Sequence, residues 1–338
     1  MVGENVLTSG SNRYKESLNR YGKEDVIDQV RNHTICDVKG GLTPAHVIVT
    51  DKYVICTGEF VISYNDLELF DITSINTSGL QAVFAFDNRG QAYAKRLVGI
   101  SSENIGKVKA AVASVIVNTK IGMTPTNYLE YKRARMSDIE ARSLESDPKG
   151  AFTKFTRSKL LRNPNIKYAA LFGTIGILSL FRLTESETAL QTGAIILMSL
   201  IMSSVGFLPF ILWRKNFARY REFVKENDED VLDQLNNKVL FRPRTSHRCF
   251  VTEKYIVIVG SCILRREDAA WITGYIYKGH WYIDLTDKEG NKVHAGMGYS
   301  TNDWQLEQLK LADLLPNCLV FQNEANKRYY EERYKRQV

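Results

Sequence analysis

Val49-Thr50-Asp51-Lys52-Tyr53-Val54 returns further along the chain as Val251-Thr252-Glu253-Lys254-Tyr255-Ile256. Upstream of it, Asp25-Val26-Ile27-Asp28-Gln29-Val30-Arg31-Asn32 returns as Asp230-Val231-Leu232-Asp233-Gln234-Leu235-Asn236-Asn237. The offset is 205 at Asp25/Asp230, 202 at Thr50/Thr252 and 200 at both Asp87/Asp287 and Gly90/Gly290, a drift that small loop deletions produce. Several blocks in one order mark a duplication. The unit is about 100 residues, far longer than a solenoid period and the right size for one domain core.

Each copy reads alike. Apolar positions at helical spacing predict helices over 14–32 and 216–237. Runs rich in Val, Ile, Tyr and Phe then predict strands. In copy one they are 46–50, 53–57, 59–64, 71–77, 80–87 and 91–97; in copy two, 248–252, 255–259, 261–266, 271–277, 280–286 and 291–296. Asn88-Arg89-Gly90 and Lys288-Glu289-Gly290-Asn291 read as hairpin turns. Ser101-Ser102-Glu103 and Ser300-Thr301-Asn302-Asp303 read as caps of closing helices.

Short antiparallel strands closed by one helix make a sandwich or barrel with a plugged end, which resembles the pleckstrin-homology (PH)-like superfold. The whole chain resembles a group of uncharacterised bacterial membrane proteins in which paired PH-like domains flank a transmembrane hairpin. The resemblance rests on Val-Thr-(Asp/Glu)-Lys-Tyr at 49–53 and 251–255 and on Asp66 and Asp268. It rests also on the closing run Leu314-Leu315-Pro316-Asn317-Cys318-Leu319-Val320-Phe321; the ending of copy one, Asn118-Thr119-Lys120-Ile121-Gly122-Met123, is a poorer strand. No catalytic residue comes with it.

The expected fold class is an α+β membrane protein: two PH-like β-sandwich or barrel domains, each closed by a helix, separated by a two-helix transmembrane hairpin. The organisation reads as an N-terminal helical segment (1–32), PH-like domain one (33–123), and a helical linker with a basic juxtamembrane segment (124–167). The hairpin (168–213, spans 168–183 and 189–213), a helical juxtamembrane segment (214–237), PH-like domain two (238–322) and a charged tail (323–338) complete it. The run 189–213 holds 25 residues without a charge, enough to cross a hydrocarbon core of about 30 Å. The run 168–183 is short, with Lys167 and Arg182 placed to snorkel. A buried helical hairpin is set aside because both runs are apolar all round and adjacent.

The flanks are basic. Lys149, Lys154, Arg157, Lys159, Arg162 and Lys167 precede the first run, and Arg214, Lys215, Arg219 and Arg221 follow the second. The positive-inside rule then puts both termini and both copies on the cytoplasmic face of a multi-pass cell-membrane protein. Residues 1–12 hold no apolar core, so no cleavable signal peptide is expected. The net charge of +7 lies mostly in these flanks, so the expected partners are a bilayer with an anionic inner leaflet and a protein, not nucleic acid.

No cofactor or metal site is expected. Cys36, Cys56, Cys249, Cys262 and Cys318 lack metal-ligand spacing and read as reduced core thiols. The histidines are scattered; His280 and His294 could meet across a hairpin, and His247 could pair with Cys249. No P-loop, GxSxG, HExxH or dinucleotide fingerprint occurs. Trp271, Tyr275, Tyr277 and Trp281 make copy two the more aromatic copy, through packing or through a groove that anchors a partner. The segment 125–148 reads as a solvated linker helix, and 324–338 as a frayed helix or as a membrane-surface or partner contact. The expected function is a membrane-anchored binding or scaffolding module on the cytoplasmic face. The alternative is an enzyme, or an accessory subunit of one, with a site between the copies.

Overall fold

The computed structural model describes residues 7, 9–75, 80–116, 119–146, 155–161, 171, 174–175, 178, 189–244, 246, 248–299 and 304–334. Side chains of 189–191, 202–203, 205–216 and 299 are outside the description. The elements run α1 (Asn12–Tyr21), α2 (Lys23–Asn32), β1 (Thr34–Lys39), β2 (His46–Thr50), β3 (Tyr53–Cys56), β4 (Phe60–Ser63), β5 (Leu67–Ser74), β6 (Gln81–Asp87), β7 (Ala92–Leu97), α3 (Ser102–Val115), β8 (Lys120–Ile121) and α4 (Pro125–Ser146). Then come α5 (Arg157–Leu160), α6 (Ala189–Asn237), β9 (Val239–Phe241), β10 (Cys249–Thr252), β11 (Tyr255–Ile258), β12 (Cys262–Arg265), β13 (Ala269–Tyr277), β14 (His280–Asp287), β15 (Lys292–Tyr299), α7 (Trp304–Asp313), β16 (Leu319–Val320) and α8 (Glu324–Tyr334).

The duplication is written into the topology. Copy one forms sheets β1-β2-β3-β4 and β7-β6-β5-β8; copy two forms β12-β11-β10-β9 and β15-β14-β13-β16. Even the irregularities repeat. The β5/β6 ladder slips between Leu67 and Leu69, and the β13/β14 ladder slips between Ala269 and Trp271. Each copy ends on a short parallel strand, pairing Leu69 with Lys120 and Trp271 with Leu319.

The repeated sequence blocks earn their recurrence as a brace. Thr50 Oγ1 accepts from Tyr53 N at 3.0 Å, closing the turn between β2 and β3. Asp25 on α2 then accepts from the Tyr53 hydroxyl at 2.6 Å and from Lys52 Nζ at 3.0 Å. In copy two Thr252 accepts from Tyr255 N at 3.0 Å, and Asp230 accepts from the Tyr255 hydroxyl at 2.7 Å and from Lys254 Nζ at 2.8 Å. These donors hold both carboxyls below the usual carboxylate range; the Tyr53 hydroxyl leads for Asp25, the Lys254 ammonium for Asp230.

By contacts the chain forms two compact units. One holds 1–148, 240–247 and 265–338; the other holds 149–239 and 248–264. In the first, the two sheets of copy one share a core of Val47, Val49, Phe60, Phe70, Val83 and Ala85, closed by Val108 and Val112 of α3. Ser101 caps α3 through Asn104 N. The opposite face of the first sheet is covered by Tyr14, Leu18, Val26 and Val30 of α1 and α2. α4 and α7 lie over the outer face of β5–β7, and α7 also packs on β13. In the second unit Phe217, Tyr220, Val224, Val231 and Leu235 of α6 cover Phe250, Tyr255 and Val257. The helical pattern read over 14–32 breaks at Gly22, whose φ of +83° suits glycine. α6 kinks at the equivalent Asn227, φ −130°.

The transmembrane hairpin is corrected. Among the described residues no helix is long and apolar enough to cross a membrane. The first run, 168–183, and the connection after it lie mostly outside the described residues. The second run is no separate element. It is the first part of the 49-residue α6, which passes without a break into the charged segment beyond Arg214. A charge-free window does not show where a helix begins or ends. The fold class is α+β with four small sheets, and the membrane-protein class, the transmembrane helices and the multi-pass cell-membrane localisation with cytoplasmic termini fall with the hairpin.

Two further readings change. The segment read as a solvated linker is α4, with Tyr128, Leu129, Tyr131, Lys132 and Ile139 all buried. Its mixed charge hid them, because Lys132 is buried with its ammonium satisfied. The frayed tail is α8, anchored by buried Asn326 and Tyr330.

Candidate functional site

Over their central parts β13, β14 and β15 alternate. Ala270, Ile272, Trp281, Ile283, Leu285, Ala295 and Met297 are buried on one face. Gly274 lies on that face because a Cβ there would stand 2.4 Å from Gln308 Oε1 of α7. The tight turn Lys278-Gly279 has positive φ at both residues, 49° and 76°, the geometry that matches strand twist. It fixes the register Tyr277↔His280 and Tyr275↔Tyr282, and β15 then places His294 beside Asp284.

The other face therefore gathers Tyr275, Tyr282 and His294 into a stack. Ring centroids lie 5.4 Å apart for Tyr275–Tyr282, 5.2 Å for Tyr282–His294 and 5.8 Å for Tyr275–His294. His294 Nδ1 lies 2.7 Å from Asp284 Oδ1, which orients the ring. Tyr275 is 38 % and Tyr277 57 % exposed. Partial burial, then the charge of Asp284, holds the Tyr275 hydroxyl above its ordinary value. Such a surface offers flat amphipathic rings at small entropic cost, as contact surfaces do. Among the described residues, the aspartate–histidine pair has no serine or cysteine nucleophile in hydrogen-bond contact with it.

Of the aromatic residues singled out in the sequence, Tyr275 and Tyr277 reach this surface. Trp281 is buried against Trp304, and Trp271 donates its indole N–H to the Phe321 carbonyl at 2.8 Å. His280 and His294 are not brought together: His280 pairs with Tyr299, and His294 with Asp284. His247 lies outside the described residues. Tyr282 and Asp284 were missed, although their i, i+2 alternation along β14 was the available signal, and His294 was read toward His280 instead of Asp284. Asp66 and Asp268 sit at turns; Asp66 accepts from the Tyr21 hydroxyl at 2.6 Å, and Asp268 faces Lys288 at 3.7 Å. Burial raises the thiols of Cys56, Cys249 and Cys318, which keeps them protonated. Among the described residues no group of three or more His, Cys, Asp or Glu could hold a metal.

Of the ten basic residues, Lys149, Lys154, Arg162 and Lys167 lie outside the described residues, as do the side chains of Arg214 and Lys215. Arg157 pairs with Asp228 at 3.1 Å. Lys159, Arg219 and Arg221 are exposed. With the hairpin gone, nothing places the ten in one headgroup plane.

A scan against protein-family models, a search of curated proteins and a search of solved structures each find no match to this chain. The PH-like character of the two copies therefore remains an expectation from sequence.

Proposed function

We propose that the chain is a non-catalytic binding or scaffolding module, and that the outer face of β13–β15 is its contact surface for a protein partner. One observation carries this reading. The face exposes stacked tyrosines and an aspartate-oriented histidine, while the equivalent face of copy one is buried inside its own unit. Aromatic side chains of this kind anchor protein contacts.

The test is affinity capture with the full chain and with its Tyr275→Ala/Tyr282→Ala/His294→Ala variant. The variant should keep the unfolding midpoint and the circular dichroism of the parent and lose the captured partner. A folded variant that retains the partner would remove this face from the function.

A further inference from the structure

The two copies differ at one corner in a way that points to a ligand. The corner lies between the closing strand and the helix after it, and the copies can be aligned there by their hydrogen bonds. Asn127 donates to the Ile121 and Gly122 carbonyls, and Asn326 to those of Val320 and Phe321. The Tyr131 hydroxyl donates to Asp87 O at 3.2 Å, and the Tyr330 hydroxyl to Asp287 O at 3.0 Å. Asn88 N donates to Asp66 O, and Lys288 N to Asp268 O. Tyr64 therefore corresponds to Arg266, Glu68 to Ala270, Lys120 to Leu319, Glu130 to Tyr329 and Arg135 to Tyr334.

In copy two the corner is filled by the Arg266 side chain. Arg266 is 7 % exposed. Its Nε donates to Leu314 O, just past the end of α7, at 2.8 Å, and its Nη2 meets Glu140 Oε1 at 2.6 Å. The rings of Tyr330 and Tyr334, at the positions of Tyr131 and Arg135, lie 5.4 Å apart. Arg266 of copy two thus joins a helix-end carbonyl of its own copy to a carboxylate of α4.

In copy one the same corner is open. Tyr64 turns its hydroxyl to the Thr50 carbonyl instead. What remains is a cleft of about 550 Å³, lined by Glu68, Lys120, Glu130, Arg135, Asn88 and Val115 among others. Volumes of this order suit small molecules. Two carboxylates stand where copy two has Ala270 and Tyr329. Glu68 meets Arg135 through Oε1, and Glu130 meets Lys120 through Oε2, so each carboxylate keeps a second oxygen as an acceptor. Arg135 Nε is buried and has no hydrogen-bond partner, an orphaned donor suited to an anion.

We propose that this cleft binds a small arginine-like molecule. Its guanidinium takes the place that Arg266 fills in copy two, held by Glu68 and Glu130, and its carboxylate meets Arg135. The site is separate from the aromatic face and does not depend on the function assigned to that face.

Calorimetric titration of the full chain with L-arginine, agmatine and L-citrulline tests it. L-Arginine should bind saturably. Citrulline, which keeps the shape without the charge, should bind at least about tenfold more weakly, the effect of one charge-assisted hydrogen bond. Agmatine, lacking the carboxylate, should also be weaker than arginine. Glu68→Gln/Glu130→Gln should lose binding, and Tyr64→Arg should block the cleft with the plug of copy two. If Tyr64→Arg does not fold, the glutamine pair decides. Absence of saturable arginine binding, equal binding of citrulline or agmatine, or arginine binding undiminished in the folded glutamine variant would overturn the proposal.

Discussion

The outer faces of two equivalent sheets have opposite fates. In copy one Ala82, Phe84, Phe86 and Ala92 are buried on that face. Phe84 lies 4.7 Å from the Phe321 ring, and Phe86 lies 5.0 Å from that of Tyr131. In copy two the same positions are Tyr282, Asp284, Thr286 and Lys292; Thr286 is buried, Tyr282 and Asp284 are half-buried and Lys292 is exposed, and Tyr282 stacks with Tyr275 and His294. The helix that follows each closing strand explains the difference. α4 has 22 residues and carries a long buried stripe; α8, 11 residues as described, meets Trp271 and the Asp287 carbonyl through Tyr330. Among the described residues, only the face of copy one is covered by helices along its length.

The largest expected effect tests that contrast directly. Phe84→Ala should cost about 3–5 kcal/mol, as truncation of a buried ring does. Asp284→Ala, at the equivalent position, should stay within about 0.5 kcal/mol. Denaturant unfolding measures both, and equal costs would break the comparison.

The cover over copy one is itself locked by charge. Lys132 of α4 is fully buried, and its ammonium donates to Ala312 O at 3.1 Å, Leu315 O at 2.8 Å and Cys318 O. Tyr128 donates to Asp313 Oδ1 at 2.5 Å. Lys132→Met should cost about 3 kcal/mol in the same assay, because it orphans carbonyls at the end of α7. Burial raises Asp313 from 3.8 to about 6. The native state then keeps a proton that the unfolded chain releases. Its contribution to stability is present below pH 3.8 and is lost as pH rises to about 6. Asp313→Asn should flatten that segment of the stability–pH curve; an unchanged slope would contradict the burial of a free carboxyl there.

The smallest effects should be shared by both copies. Tyr53→Phe and Tyr255→Phe each remove one hydroxyl from the brace, and each should lower stability by about 1 kcal/mol. A loss at one position only would mean that the brace is decorative in the other copy.

Much of this pattern was legible in the sequence, because the brace is local: Thr, Lys and Tyr lie within four residues, and alternation marked the longer strands. The closing run 314–321 was read as ending in an apolar strand and holds β16, the poorer ending of copy one holds β8, and β1 and β9 were not read as strands. α4 misled for a physical reason. A lysine inside a helix reads as solvated, and only its three carbonyl partners, some 180 residues away in sequence, make it a core residue. The charge-free run of α6 misled in the opposite sense, since hydropathy was read without the helix that contains it. At the candidate face, Tyr275 and Tyr277 were visible as aromatic excess. The pairing of His294 with Asp284 was not, because it depends on strand register.

The central claim is that the face of copy two is left open for a partner. Hydroxyl-radical footprinting of the full chain, alone and mixed with the partner recovered by capture, measures it at single side chains. The account predicts fast modification of Tyr275, Tyr277 and Tyr282 in the free chain, slow modification of Phe84 and Phe86, and protection of the three tyrosines in the mixture. Tyrosines already protected in the free chain, or still reactive in the complex, would contradict it.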